Sequence, residues 1–368
     1  MWETGFMSIF KRMFAIFTTV MLLFSGIRIA SIDTEKDQVK NVILMIGDGM
    51  GENHLDMTEA EEGVALAVKS MPLKGYAETI DFFGITADSA SAGTALACGV
   101  RTISGMIGVY PSDPGAVYSY PANLAETAIS KGMKTGVVTS DYNSGATPAC
   151  FSSHTASRAS EAEITKQQLA SGIDLIWSGK TSYATDGDIA ASAFERITTK
   201  AEMDALAPGS KTFGQFSGEL WALENANGPT LTEMALKAVE LLEGENGFFL
   251  MIEGAHIDKL SHDNNAEKTK EAVIAFDSAV AAMLDYAEND GNTLVVVTAD
   301  HETGGVKYQN GKFEFTSTGH TRANVPVYVY GSENFIKEGR NVINKEIAIY
   351  IAFSMGFSKT EFPKSILK

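Results

Sequence analysis

Residues 291–305 read GNTLVVVTADHETGG. The run TLVVVT (293–298) is β-branched and almost continuously apolar, the pattern of a strand covered on both faces. An acid and an imidazole, Asp300 and His301, follow it directly. Four further runs have the same character: 41–47 (NVILMIG), 135–140 (TGVVTS), 247–252 (GFFLMI) and 325–331 (VPVYVYG). Helical patterns lie between them at 121–131, 230–243, 266–289 and 344–355. This alternation predicts an α/β fold, a three-layer α/β/α sandwich around a central, mostly parallel sheet. Beside it, VKYQNGKFEF (306–315) alternates about an Asn310-Gly311 turn and reads as a β-hairpin. Residues 177–229 are weakly patterned, and no catalytic role is assigned there.

Open α/β sheets bind ligands beyond the carboxyl ends of their strands. Asp48 follows the first run in GDG, Glu253 ends GFFLMI, and Asp300 and His301 end TLVVVT. One strand-end acid is an ordinary turn or cap residue; three coinciding strands point to a shared site. In IEGAHIDKLSH, Asp258 and His262 are spaced i, i+4 and share a helix face. His320 precedes the last run. Carboxylate and imidazole ligands without thiolate suit catalytic zinc, and carboxylate with hydroxyl oxygens suits magnesium. In DSASAGTA, Asp88 is a helix cap and Ser89 sits at the helix N-terminus, where backbone N–H groups favour an anion. A metal ion beside such a serine makes it a nucleophile.

The 368 residues are 45% apolar and 20% charged, globular values that exclude disorder as an overall description. The net charge of −17 gives no broad attraction for nucleic acid or anionic lipid, so a bound phosphate needs local positive charge. At the N-terminus, Lys11 and Arg12 precede an apolar run, 13–24, that is short beside the about 20 residues of a membrane span. It reads as an export signal over residues 1–30, with an uncleaved anchor as the alternative. Export implies a periplasmic or secreted protein with no stable membrane partner. Cys98 and Cys150 lack C-x-x-C spacing and lie among small residues, as buried free thiols do, with a disulfide between them as the alternative open to an exported protein.

Taken together, NVILMIGDGMG (41–51), TADSASAGTALACGVRT (86–102), ATPACFSSHTASR (146–158), GFFLMIEGAHIDKLSHDNN (247–265), AFDSAV (275–280), GNTLVVVTADHETGG (291–305) and GHTRANVPVYVYG (319–331) resemble the alkaline phosphatases, in the order that family uses. The resemblance implies one alkaline-phosphatase-like catalytic domain over 31–368. It implies Asp258, His262 and His320 as ligands of one zinc, and Asp48, Asp300 and His301 as ligands of a second faced by the nucleophile Ser89. Asp48, Thr147 and Glu253 match a third site that takes magnesium. Arg158 matches the arginine that grips two phosphate oxygens, which its planar, always-charged fork suits. Lys259 matches a subgroup in which this lysine reaches phosphate through water. The implied activity is hydrolysis of small phosphate monoesters through a phosphoserine, with two zinc ions and one magnesium ion, in a homodimer.

There are departures from the family pattern. Gly145 stands where many members carry Asp or His, and Ser261 where the lysine subgroup has Asp. His154 and His256 match no ligand position, His154 reading as a structural residue and His54 as a surface one. The alternatives are a phosphodiesterase, sulfatase or phosphoglycerate mutase of the same superfamily, or a non-catalytic phosphate- or metal-binding protein. Sulfatases need C/S-x-P-x-R, and DSASA lacks the Pro and the Arg. Diesterase relatives carry Thr where Ser89 stands, and a binding protein needs no nucleophile.

Overall fold

The run 41–47 forms strand β1 (Asn41–Gly47), with every residue buried. Val42, Ile43, Leu44, Met45 and Ile46 are fully covered. Burying each such side chain is worth about 1.5–3 kcal/mol relative to exposure, so apolar burial fixes where the strand lies and where its polar continuation emerges. The computed structural model describes residues 38–111, 118–336, 339–363 and 365–366; the export signal read over 1–30 lies outside the described residues.

The other strands of the main sheet are β2 (Leu73–Glu78), β3 (Lys134–Tyr142), β4 (Leu175–Gly179), β5 (Glu195–Ile197), β6 (Thr212–Phe216), β7 (Phe248–Gly254), β8 (Thr293–Thr298), β9 (Val325–Tyr330) and β10 (Asn341–Ile343). These ten strands lie in the order β10-β2-β9-β8-β1-β7-β3-β4-β6-β5. At the centre, β8, β1, β7 and β3 are mutually parallel and level: Ile46 pairs with both Thr298 and Glu253, and Glu253 pairs with Thr139. The expectation for 325–331 as a parallel strand is corrected, because β9 runs antiparallel to both neighbours. A continuous apolar run reports burial on both faces, not direction. The weakly patterned stretch 177–229 also holds β5 and β6, which extend the sheet to its far edge.

The helices that matter for the site are α1 (Glu52–Glu62), α2 (Ser89–Cys98), α3 (Leu124–Ser130), α4 (Ala146–Cys150), α5 (Leu231–Leu242), α6 (His256–His262), α7 (Ala266–Asp290) and α8 (Asn344–Ser354). They form two groups, α1, α5, α6 and α7 packing together and α2, α3, α4 and α8 packing together, the outer layers of an α/β/α sandwich. Asp88 caps α2 by accepting from the Ser91 N–H at 3.0 Å, and Asn123 and Thr230 cap α3 and α5 in the same way. At the Asn310-Gly311 turn both residues have positive φ, 54° and 83°, as a two-residue hairpin requires.

Cys98 and Cys150 are buried free thiols. Cys150 donates to the Ala90 carbonyl at 3.3 Å, joining α4 to α2. Burial pushes the Cys150 thiol up to about 12 and raises Cys98 well above the usual thiol range. Both should resist iodoacetamide in the native protein at pH 8 and react once it is unfolded; native-state labelling of either would contradict their burial. A thiol raised in the folded state contributes stability present below its unfolded value, about 8.5, and lost as pH rises towards its folded one. Replacing Cys150 with alanine should therefore flatten the alkaline fall in melting temperature.

Candidate active site

Asp48 leaves the end of β1 into a turn at Gly49, whose φ is +76°. A Cβ on Gly49 would lie 2.7 Å from the Asp258 Cα, so two reasons, the positive φ and the close approach, require glycine there. The Gly49 N–H donates to Asp300 Oδ1 at 3.2 Å, tying the end of β1 to the end of β8. Glu253 lies in β7, and α6 follows at once with Asp258 and His262 on one face. A short ladder, Glu302–Thr303 against His320–Thr321, folds His320 back over the end of β8.

Two groups of side chains result: Asp258 with His262 and His320, and Asp48 with Asp300 and His301. Asp258 Oδ1 is 3.3 Å from His262 Nε2 and 3.5 Å from His320 Nε2. His301 Nε2 is 3.2 Å from Asp300 Oδ2 and 3.6 Å from Asp48 Oδ1. Ligands held at 2.0–2.1 Å in a tetrahedron are about 3.3 Å apart, so each group has the dimensions of a zinc site. The imidazoles are oriented to match. Nδ1 of His262 faces the Thr318 carbonyl at 2.5 Å and Nδ1 of His320 faces the Ala87 carbonyl at 3.0 Å. Nδ1 of His301 lies 3.2 Å from the Thr303 hydroxyl. Each ring is thereby fixed with Nε2 toward the carboxylates, the arrangement of metal-ligating histidines.

The electrostatics point the same way. Asp48 Oδ1 and Asp300 Oδ2 are buried and accept no hydrogen bond. Burial, reinforced by Asp300, Asp258 and Glu253, raises the Asp48 carboxyl well above its ordinary value. Burial first, then Asp141, raises Glu253 to about 8. Asp258 differs: burial raises it, but hydrogen bonding to His262 and the nearby imidazoles outweigh that and hold it low. The same contact lifts His262 to about 9. Buried acids that repel one another and have orphaned oxygens fit divalent cations, which supply the missing charge.

A third set of oxygens adjoins these groups. Thr147, in α4, places Oγ1 3.4 Å from Asp48 Oδ2 and also hydrogen-bonds Glu253. Ser89 is the first residue of α2, with Oγ 3.1 Å from His301 Nε2. Arg158 donates from Nη1 to Asp88 Oδ2 at 3.1 Å, which anchors the guanidinium beside the nucleophile's helix start. Burial opposes ionisation of Asp88, but N–H donors from Ser91 and Gly105, with Arg158, leave its pKa below the ordinary value.

The alkaline phosphatase family profile matches residues 39–189 and 218–349. The chain belongs to the alkaline phosphatase family. It is 30% identical to alkaline phosphatase 4 of Bacillus subtilis over 74% of this chain, and 30% identical to alkaline phosphatase 3 of the same organism over 73%. The matches span 63% and 62% of those two relatives' lengths. A variant of the alkaline phosphatase of the Antarctic bacterium TAB5, with magnesium bound in its M3 site, is 30% identical and superimposes with a TM-score of 0.76. That likeness covers 88% of this chain and 99% of that one. The family's three-layer architecture is the fold seen here.

The other site residues named from the sequence make these contacts, and Lys259, next to Asp258 on α6, pairs its Nζ with Asp141. His54 is a correction. Expected at the surface, it is fully buried on α1, with Nδ1 accepting from the Gly51 N–H at 3.0 Å and Nε2 3.1 Å from Ser261 Oγ. Burial lowers it to about 4, so it is a neutral brace beneath α6. The serine at 261 is its partner. His154 is structural as expected, bonding the Gly108 carbonyl at 2.7 Å and Glu126. His256 stacks on Trp221 with centroids 5.3 Å apart. Sequence reading missed Thr139, which donates to Glu253, Thr303, which donates to Asp258, and Asp141. Thr139 and Asp141 follow the VV of β3, and the strand-end rule applied to that fourth strand would have found them.

Stripping divalent cations should lower the melting temperature. A carboxyl raised in the folded state contributes stability present below its ordinary value, 4.5 for Glu253, and lost as pH rises through about 8. The opposite effect of His54, lowered from 6.5, is complete above pH 6.5. Metal-free protein should therefore lose melting temperature between pH 6.5 and 8.5, and protein reloaded with zinc and magnesium should not. A flat metal-free profile measured by calorimetry would count against mutual repulsion of these acids.

Proposed function

We propose that the protein is a phosphate monoesterase that works through a phosphoserine on Ser89. The observation that carries this reading is the position of Ser89, at a helix N-terminus and 3.1 Å from the His301 Nε2, between a buried acid–imidazole site and Arg158. Asp258, His262 and His320 would hold one zinc, Asp48, Asp300 and His301 a second, and Asp48, Thr147 and Glu253 a magnesium. Bound there, divalent cations supply Lewis acidity, lowering the pKa of hydroxyl groups and stabilising negative charge on entering and leaving oxygens.

The chain's own residues do the rest. Arg158, anchored by Asp88, presents its remaining N–H donors to two phosphate oxygens. The positive end of α2 adds to that attraction. Ser89 Oγ attacks phosphorus as the P–O bond to the alcohol breaks, and the serine proton passes through solvent to the departing alcohol oxygen. Water then attacks the phosphoserine from the side the alcohol left, returning Ser89 and releasing phosphate. This local positive charge reconciles an anionic substrate with a net charge of −17. Export and homodimer assembly belong to the same proposal; among the described residues no helix is long and apolar enough to cross a membrane.

p-Nitrophenyl phosphate should be hydrolysed at alkaline pH, activity should vanish with a chelator, and zinc with magnesium should restore it. Ser89→Ala should lower kcat by at least about 10³-fold and leave no acid-stable ³²P on the protein, consistent with loss of a nucleophile. Label persisting on that variant would place the nucleophile elsewhere. Arg158→Ala should weaken inorganic phosphate as an inhibitor by about 10- to 150-fold, the value of a charged hydrogen bond of about 1.5–3 kcal/mol. Faster hydrolysis of bis-p-nitrophenyl phosphate than of the monoester would instead indicate a diesterase.

A further inference from the structure

The pocket of Asp48, Thr147 and Glu253 receives no side chain from residue 145, which is glycine. Gly145 has φ −52° and ψ 150°, a conformation open to any residue, so its backbone does not demand glycine. The space in front of it is filled instead. A Cβ on Gly145 would lie 3.0 Å from Asp141 Oδ2 and 3.0 Å from the Tyr142 carbonyl oxygen, both inside ordinary contact distance. The carboxylate of Asp141 thus stands in the volume into which a residue-145 side chain would project.

The backbone explains how Asp141 gets there. The pairing of β3 with β4 slips register between Val138 and Tyr142, and such an irregularity re-aims the side chains within it. The Asp141 N–H donates to Thr139 Oγ1 at 2.9 Å, and the Thr139 hydroxyl donates to Glu253 Oε2. Asp141 is therefore fixed in one hydrogen-bonded chain with Glu253. Its side chain is 17% exposed. Oδ1 accepts from Lys259 Nζ, one residue beyond Asp258, which leaves Oδ2 on the Gly145 side.

We propose that Asp141 is the acidic group that completes the third cation pocket, replacing from β3 the side chain that Gly145 lacks, and that it holds Lys259 beside the phosphate site. This rests on the phosphatase reading above. The pocket then has carboxylates from Asp48, Glu253 and Asp141 and a hydroxyl from Thr147, an all-oxygen set suited to magnesium. Magnesium keeps several waters, so Asp141 can act through one of them while still paired with Lys259.

The test uses the full chain loaded with zinc and titrated with Mg²⁺ by calorimetry, with zinc content and far-UV circular dichroism measured on every variant. Asp141→Asn should raise the Mg²⁺ Kd at least fivefold while zinc stays at two per chain. Asp141→Ala should do the same, and Asp141→Ala combined with Gly145→Asp should recover at least half of that loss on a logarithmic scale, because a carboxylate re-enters the emptied volume. A rise below fivefold in Asp141→Asn, no recovery in the double variant, or no Mg²⁺ binding by the zinc-loaded wild type would overturn the proposal. Failure of the wild-type chain to take up zinc at all would overturn the phosphatase reading instead.

Discussion

Four carboxylates, those of Asp48, Glu253, Asp258 and Asp300, are gathered at one edge of the sheet, none more than 9% exposed. Among the described residues no lysine or arginine forms an ion pair with any of them. Like charges brought this close in a buried place raise one another's pKa or require a cation between them. What these acids face instead is imidazole: His262, raised by its contact with Asp258, and His320 face Asp258, and His301, lowered by burial, faces Asp48 and Asp300. The orphaned oxygens of Asp48 and Asp300 mark what those rings leave unbalanced. The rest of the site is arranged around that imbalance, and under the proposed function divalent cations held there would reverse it, giving a strongly acidic chain a place for an anion.

That concentration of charge depends on a rigid support. Strands β8, β1, β7 and β3 are neighbours with level ends, so residues far apart in the chain emerge side by side. Beneath the ligands lies a second layer of fixed hydrogen bonds. His54 supports Ser261, Thr303 bonds Asp258, Thr139 bonds Glu253, and backbone carbonyls orient His262 and His320. Ser89 and Arg158 belong to a different structural unit, the start of α2 and the loop after α4, joined through Asp88. The proposed nucleophile and phosphate clamp are thus tied to each other through Asp88.

Much of this was legible residue by residue. The apolar runs located β1, β3, β7, β8 and β9, and the helical patterns at 230–243, 266–289 and 344–355 fall on α5, α7 and α8 to within a residue or two. Asp88 as a cap and Ser89 as the first helical residue followed from local chemistry. Other features were not legible. Burial of His54 depends on α1 packing against α6, and nothing in GENHLD signals a partner more than 200 residues away. The direction of β9 depends on which strands it pairs with. The weak strands β5 and β6 are held by their neighbours more than by their own pattern.

What the sequence determined alone was local: which segments are apolar enough to be buried strands, which residues end them, and which side chains have ligand or nucleophile chemistry. These properties depend on side-chain type and short-range spacing, so they survive without coordinates. Only the tertiary structure decided which of those chemical groups meet. It turned three rings to present Nε2, paired Lys259 with Asp141, and set the Asp141 carboxylate in the space before Gly145 through a slip in strand register. Such relations depend on distances between atoms of remote segments, and packing of the whole sheet and its two helical layers sets those distances.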